Sequence, residues 1–441
     1  MLWPLLASPA TDERQVRGVA QRGSKAFGKR VRWLAVATAT SMAALLLSWS
    51  GPPPDTTVAS PGTQTVESPS TIGEVFGASQ ASAKNKNMKN TKKKNKISQR
   101  PKPVPSANLV PEQSGPGVAS TPSSGPTRAT FGIALAGGEF GSRLPGTYNW
   151  DYTYPTAQEL DYYKAKGRLV VRVPFRWERL QRTLNGPLEP TEMSRIDSII
   201  GDARSRGMVV LLDCHNFGRY KVDGTNEQIL GTSRVPKAAF ADLWRKIADR
   251  YKNESAVYGY GLMNEPHDMG NDKRWPRAAQ TAVDEIRKVD TAHTILVAGD
   301  HWSGAHSWRN TSNENLDIQD PANRLLYEAH QYFDNDHSGI YDQSYDREGA
   351  NPDVGVVRVR PFVKWLRAKG KKGFVGEFGV PSNDPRWNTV LDNFLSYLNA
   401  NNVGGTYWAG GPWWGDYPLS IEPTNNFATD KPQMSVLQKY P

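Results

Sequence analysis

The stretch Val257-Tyr-Gly-Tyr-Gly-Leu-Met-Asn-Glu-Pro266 decides the fold of this chain. A mostly apolar run ends abruptly in Asn264 and Glu265, and a turn-forming proline follows. Apolar runs without alternating polar residues are typical of strands that are buried on both faces of a parallel sheet. The stretch therefore predicts a buried strand that carries polar groups at its carboxyl end.

Seven further runs resemble Val257–Met263, and they are Phe131–Ala136, Leu169–Val173, Met208–Asp213, Thr294–Ala298, Leu325–Ala329, Gly373–Phe378 and Gly404–Trp408. Helical patterns separate most of them, for example at Thr156–Lys166, Pro236–Tyr251, Pro276–Val289 and Arg386–Asn399. Eight strand–helix units over residues 129–441 predict a single α/β domain, a (β/α)8 TIM barrel. A doubly wound open sheet is the alternative, but no glycine-rich phosphate loop follows the first strand.

Composition restricts the class of protein. The chain has 441 residues and a net charge of +10. Residues 1–128 hold 17 Lys and Arg against 6 Asp and Glu, whereas residues 129–441 hold 37 against 38, so the folded part offers no net positive charge to nucleic acid. The single cysteine, Cys214, excludes an intrachain disulfide, and stability must come from a core.

The first 128 residues predict export and a linker. Within residues 1–50, a basic region precedes the uncharged segment Trp33–Trp49, which indicates either a cleaved signal peptide or an uncleaved membrane anchor. Residues 51–128 are rich in Pro, Ser, Thr and Lys and predict a disordered linker. The basic run Lys84–Lys96 within it is expected to be a solvated tether, with attraction to anionic lipid or wall polymer as the alternative. We expect a secreted or periplasmic protein.

Two glutamates stand out among the polar residues at the predicted strand ends. Glu265 follows the fourth barrel strand and Glu377 ends the seventh, so that they should face each other across the barrel mouth. A pair of carboxyl groups about 5–5.5 Å apart suits a retaining glycosidase, and about 6.5–9.5 Å suits an inverting one. The sequence leaves that distance open.

Other chemistries receive less support. The histidines lack HExxH or CxxC spacing, so no metal site is expected, although Asp213 and His215 could in principle contribute to one. No GxSxG motif is present, which disfavours acyl transfer by a serine triad. No cofactor is expected.

The residues around both glutamates resemble glycoside hydrolase family 5, the large cellulase family, over about residues 131–437. The most specific match is Tyr260-Gly-Leu-Met-Asn-Glu-Pro266, and weaker matches in the expected order are Val171-Arg-Val-Pro174, Asp213-Cys-His-Asn216, His330-Gln-Tyr332, Gly376-Glu-Phe-Gly379 and Tyr407-Trp408. The sequence around His215 and Asn264 is similar to the endo-β-1,4-glucanase branch of that family.

The resemblance implies a role for each matching residue. Glu265 would be the acid/base and Glu377 the nucleophile, while Asn264 would bond the sugar 2-hydroxyl. The others would orient the nucleophile or line the same subsite, and they are Arg172, Tyr332, His215, His330 and Trp408. Burial and the charge of Glu377 should raise the pKa of Glu265, and Arg172 should hold the pKa of Glu377 down.

Flat apolar rings suit the C–H faces of pyranose sugars, so we also expect rim tryptophans to bind substrate. They are Trp177, Trp302, Trp408, Trp413 and Trp414, and the pair at 413–414 is expected to lie outside the core. Trp244 and Trp365 lie on predicted helices and should serve packing.

We therefore expect a monomeric, retaining endoglucanase that cleaves internal β-1,4-glucosidic bonds of cellulose or soluble β-glucans. The same chemistry on mannan, xyloglucan or mixed-linkage glucan is the first alternative. A non-catalytic glycan-binding protein is the second, and a nucleic-acid binder led by Lys84–Lys96 is the third. No cellulose-binding module is visible in the sequence, which argues against strong adsorption to crystalline cellulose.

Overall fold

A closed barrel of eight parallel strands forms the centre of the molecule. The computed structural model describes residues 129–440, and the predicted signal or anchor segment, the linker and the basic run Lys84–Lys96 lie outside that range. The barrel strands are β1 (Phe131–Leu135), β2 (Val170–Phe175), β3 (Val209–Cys214), β6 (Val257–Gly261), β7 (Thr294–Ala298), β8 (Leu325–His330), β9 (Gly373–Phe378) and β10 (Gly404–Gly410). Every neighbouring pair is parallel, and β1 closes the barrel on β10. The predicted TIM barrel is confirmed.

A short antiparallel hairpin, β4 (Arg219–Lys221) and β5 (Glu227–Ile229), is inserted after β3. The helices are α1 (Ala157–Ala165), α2 (Trp177–Leu180), α3 (Pro190–Ser205), α4 (Lys237–Tyr251), α5 (Arg274–Arg287), α6 (Val354–Lys369), α7 (Arg386–Ala400) and α8 (Pro432–Leu437). Three 3-10 turns between His301 and Asn315 follow β7 in place of a regular helix. Within residues 129–440, none of the helices combines the length and the apolar character that crossing a membrane requires.

The four predicted helices are present, and local sequence explains where they begin. The hydroxyl of Thr156 accepts a hydrogen bond from the Glu159 backbone N–H, while the Glu159 carboxylate accepts one from the Thr156 backbone N–H. This capping box satisfies two helix-end donors and starts α1 at Ala157. The helix predicted at Pro276–Val289 begins two residues earlier, at Arg274, because proline is tolerated in the first turn of a helix.

The core lies between the barrel and its helices. Trp244 and Trp365 are buried there, as predicted. Each indole N–H is satisfied by a carbonyl oxygen, that of Leu262 at 3.0 Å for Trp244 and that of Glu314 at 2.9 Å for Trp365. Because all eight strands run in one direction, their carboxyl ends share one rim, and that rim carries the polar residues.

Candidate active site

The two predicted catalytic glutamates meet at the rim. Glu265 lies just beyond β6, and Glu377 lies in β9 on the other side of the barrel mouth. One carboxylate oxygen of each lies within 4.8 Å of the other. Their side chains keep 15% and 6% of their exposure, so that both are largely withdrawn from water yet reachable from the cleft. The fold therefore brings the two carboxylates together at the rim.

Glu377 is held as an anion by two donors. The Arg172 guanidinium donates to its Oε1 at 2.8 Å, and the Tyr332 hydroxyl donates to its Oε2 at 2.7 Å. Burial alone would raise the pKa of this carboxyl group, but His330 and Arg172 outweigh burial and lower it overall. Both carboxylate oxygens are therefore oriented, and the group is ready to act as a nucleophile.

Glu265 has the opposite environment. Burial raises the pKa of its carboxyl group, and the charge of Glu377 adds to the rise, while His330 opposes it. The Nδ1 atom of His330 lies 2.8 Å from Glu265 Oε1. The Glu265 backbone has a φ of +41°, in the left-handed region that non-glycine residues rarely adopt. Strained backbone of this kind is characteristic of functional sites, where the surrounding structure holds it in place.

A closed ring of hydrogen bonds lies beside the two glutamates. Arg172 donates to Asn264 Oδ1 at 2.8 Å, and Asn264 Nδ2 lies 3.1 Å from His215 Nε2. The Nδ1 of His215 lies 2.8 Å from Asp213 Oδ2, and that oxygen is 3.1 Å from Arg172. Burial lowers the pKa of His215 well below its ordinary value, so its neutral ring donates from Nδ1 and accepts at Nε2. The ring fixes the Asn264 amide and leaves its second N–H for a ligand.

Two of the predicted tryptophans lie beside this site. The ring of Trp408 stacks on that of His215, with ring centroids 5.4 Å apart and an angle of 19° between the ring planes. Trp302 is half-buried and lies flat on His267, with ring centroids 3.5 Å apart. The backbone N–H of Trp302 donates to the carbonyl of Pro266, the residue after Glu265. Trp413 is half-buried and packs at the edge of the core.

The predictions for Trp177 and Trp414 are wrong. Trp177 is fully buried at the start of α2, with its ring against Tyr220 and its indole N–H bonded to Gln181, so that neither face is open to a sugar. Trp414 retains only 8% of its exposure and donates from its indole to the carbonyl of Gly410. It packs edge-on against Trp408, which makes it part of the core behind that ring.

Sequence reasoning assigned no part in the glycosidase site to three further residues on these loops and strands. Asp213 lies on β3 two residues before His215, which directly follows that strand, and Glu328 lies two residues before His330 on β8. Both carboxylates are buried in the site. Since residues i and i+2 of a strand share a face, that spacing was an available signal. Trp150 lies on the loop after β1 and is 75% exposed, which no local pattern would have revealed.

The arrangement suits proton transfer better than metal binding. Within residues 129–440, the one group of side chains close enough to share an ion comprises Glu265, His330 and Glu377. The charge of Glu377 and the hydrogen bonds to Glu265 and Glu328 raise the pKa of His330 to about 10 despite its burial, so this histidine is a cation that would repel a metal. Asp213 and His215, considered above as metal ligands, are bonded to each other instead.

Comparison with known proteins shows close relatives. Residues 130–413 match the Cellulase family, described as glycosyl hydrolase family 5. Endoglucanase gh5-1 of Neurospora crassa is 33% identical over 299 residues, which cover 66% of this chain and 72% of that protein. The crystal structure of Pseudomonas stutzeri endoglucanase Cel5A in complex with cellobiose is 42% identical, covers 70% of this chain and 92% of that one, and gives a TM-score of 0.66. The structure of XacCel5A in complex with cellopentaose is 39% identical, covers 71% and 99%, and gives 0.65.

Proposed function

Since this chain belongs to the cellulase family, glycosyl hydrolase family 5, we propose that it is an endo-β-1,4-glucanase that cleaves internal bonds of cellulose or soluble β-glucans with retention of configuration. The observation that carries this proposal is the approach of Glu265 and Glu377 oxygens to within 4.8 Å. That separation suits retaining glycosidases, whose carboxyl groups lie about 5–5.5 Å apart, and leaves too little room for the water that an inverting enzyme places between them.

In the first step, Glu377 attacks the anomeric carbon while the glycosidic C–O bond breaks. Glu265 gives its proton to the departing oxygen, and a covalent glucosyl ester forms on Glu377. The raised pKa of Glu265 keeps that proton available near neutral pH, and the lowered pKa of Glu377 keeps the nucleophile ionised. The two carboxyl groups thus begin the reaction in different protonation states.

In the second step, the roles of Glu265 reverse. Esterification removes the negative charge of Glu377, and with it one of the causes that raise the pKa of Glu265. Glu265, now ionised, takes a proton from water, and the water oxygen attacks the anomeric carbon. The ester bond breaks, Glu377 leaves as a carboxylate, and Glu265 regains its proton.

Substrate recognition rests on the groups around this pair. The second N–H of the Asn264 amide is placed to meet a sugar hydroxyl. Trp302 offers a flat ring beside the Glu265–Pro266 segment, because its backbone N–H donates to the Pro266 carbonyl. The relatives with cellobiose and cellopentaose bound support a β-1,4-glucan as the ligand of this cleft. We place no cofactor in the reaction, since the two carboxyl groups balance every proton.

The first test is a reducing-sugar assay with carboxymethylcellulose, mannan, xyloglucan and mixed-linkage glucan. We expect turnover of carboxymethylcellulose, and its absence would refute the glucanase assignment. Proton NMR of cellopentaose hydrolysis should show the β-anomer first, as retention requires, whereas initial α-anomer would show inversion.

Two variants test the residue roles. Glu265→Gln and Glu377→Ala should lower kcat by about 10²–10⁴-fold or more, while binding of cello-oligosaccharide survives. Glu285→Gln is a matched control, because this glutamate pairs with Lys288 on the outer helix α5, away from the rim. Normal turnover in both site variants would refute their assigned roles.

The site of action is also a proposal. The basic region followed by Trp33–Trp49 supports export of the catalytic domain to the periplasm or the medium, with membrane attachment through that segment if it is not cleaved. Determination of the N-terminus of the mature protein in each cell fraction tests this. A full-length chain recovered in the cytosol would contradict it.

A further inference from the structure

Glu328 lies beside the catalytic pair and is linked to it through His330 and Arg172. It sits on β8 two residues before His330, and its side chain keeps 2% of its exposure. Its Oε1 lies 3.4 Å from His330 Nε2 and 3.5 Å from the Arg172 guanidinium. The opposite nitrogen of the same histidine, Nδ1, is the atom that reaches Glu265. Glu328 and the acid/base therefore bind opposite ends of one imidazole ring.

The neighbouring strand is shaped to admit this carboxylate. Gly376 precedes the nucleophile on β9, and a Cβ atom there would lie 1.8 Å from Glu328 Oε1 and 2.9 Å from His330 Nε2. Contacts below 3.0 Å from a Cβ cannot be accommodated without movement. Only glycine at this position lets the carboxylate and the imidazole remain in contact.

The charges that face Glu328 come from four strands. Arg172 (β2) and His330 (β8) are cationic, and Glu377 (β9) is anionic, while Asp213 (β3) and His215, directly after β3, complete the surroundings. Burial alone would raise the pKa of Glu328, but Arg172 and His330 bring it below its ordinary value. Two anions, Glu328 and Glu377, thus balance two cations while Glu265 keeps its proton.

A comparison within the site shows what Glu328 adds. Asp213 precedes His215 by two residues, as Glu328 precedes His330, but burial raises the pKa of Asp213 to about 8. Burial lowers the pKa of His215 well below the ordinary value, so its ring is neutral. Glu328, at the equivalent place before His330, is ionised, and His330 is a cation.

We propose that Glu328 is a positioning residue that keeps His330 doubly protonated, so that its Nδ1–H is always directed at Glu265 Oε1. With Oε1 occupied as an acceptor, the acid proton of Glu265 is confined to Oε2 and directed toward the leaving oxygen. A neutral His330 could instead accept that proton at Nδ1 and take it out of use. The inference rests on the proposed function, because it assigns how the acid/base of that reaction is oriented.

Two substitutions separate charge from shape. Glu328→Gln keeps the size of the side chain and removes its charge, whereas Glu328→Asp keeps the charge and shortens the side chain. Removal of a buried negative charge lowers the proton affinity of its neighbours, so Glu328→Gln should move the basic limb of kcat/KM on cellopentaose about one pH unit or more toward acid. Glu328→Asp should stay closer to the wild-type profile. The reverse order, with the isosteric variant nearer to wild type, would show a merely structural role and overturn the proposal.

A titration without substrate makes the result independent of the enzymatic assay. Nitrogen-15 NMR of histidine-labelled protein should show that His330 of the wild type stays an imidazolium up to about pH 9. In Glu328→Gln, rising pH should remove the proton earlier, before about pH 8. Asp290→Asn is the matched control and should leave the His330 titration within about half a unit, because Asp290 is a buried carboxylate that pairs with another histidine, His293, before β7 and away from the rim. An ordinary His330 titration near pH 6.5 in the wild type, or one unchanged by Glu328→Gln, would overturn the proposal even if the enzyme acts on another glycan.

Discussion

The hydrogen bond from Tyr332 to Glu377 offers a direct test of how the nucleophile is kept ionised. The phenol donates to Oε2 at 2.7 Å, and both groups are buried. A donor to a carboxylate stabilises its charged form and lowers its pKa. Tyr332→Phe removes that donor and leaves the ring, so the pKa of Glu377 should rise while the cleft keeps its shape.

The expected size follows from the contact. A hydrogen bond to a charged group contributes about 1.5–3 kcal/mol. Since one pKa unit corresponds to about 1.36 kcal/mol, the pKa of Glu377 should rise by about 1–2 units. Arg172 remains bonded to the other oxygen at 2.8 Å and limits the rise. Because the ionised form is required for attack, activity is lost as pH falls through this pKa, and the acidic limb of kcat/KM should move upward by the same amount.

The assay is a pH profile of kcat/KM on cellopentaose, with thermal melting of each variant. Tyr260→Phe is a matched control, because Tyr260 also donates to a buried carboxylate, Asp290 Oδ2, at 2.7 Å, but does so away from the rim. Tyr260→Phe should alter thermal stability and leave the acidic and basic limbs of the kcat/KM profile in place. A folded Tyr332→Phe enzyme whose acidic limb coincides with that of the wild type would refute the reasoning.

Four other substitutions test separate parts of the structure. Gly376→Ala places a methyl group 1.8 Å from Glu328 Oε1, so we expect a loss of about 1–3 kcal/mol in the free energy of unfolding and reduced kcat; wild-type stability would contradict this. Trp177→Ala should cost about 3–5 kcal/mol by chemical denaturation, and a KM change larger than the kcat change would contradict its burial. Trp150→Ala, at a side chain that is 75% exposed, should change stability by less than about 0.5 kcal/mol. Burial raises the pKa of Asp290, but hydrogen bonds from a histidine and a tyrosine lower it overall. The ionised carboxylate therefore stabilises the fold above about pH 4, and this contribution is lost as pH falls. Asp290→Asn should shrink the difference in unfolding free energy between about pH 7 and pH 3.

Much of the fold could be predicted because its signals are local. Eight apolar runs separated by helical patterns specify a parallel barrel, and a closed parallel barrel brings all strand ends to one rim whatever the loop lengths. The positions of Glu265 and Glu377 at two of those ends therefore predicted that they meet. The helix starts were equally local, as the Thr156 capping box shows.

The tryptophans show where local signals end. Trp177 and Trp302 both follow barrel strands in polar surroundings, yet the first is fully buried and the second lies half-exposed on His267. What separates them is the direction in which each loop turns, and that depends on residues distant in sequence. Tyr220, which covers Trp177, comes from the hairpin after β3.

The amino-acid sequence by itself determined the barrel, the rim and the two carboxyl groups that we propose perform the chemistry, because each depends on strand periodicity and on residue type at a strand end. Only the tertiary structure decided how near the carboxyl groups lie and which of them holds a proton. Proton affinity in a buried site depends on the distances between charges from several strands. Arg172, His330 and Glu328 set those affinities from β2 and β8, through contacts of 2.8 to 3.5 Å that no single stretch of sequence specifies.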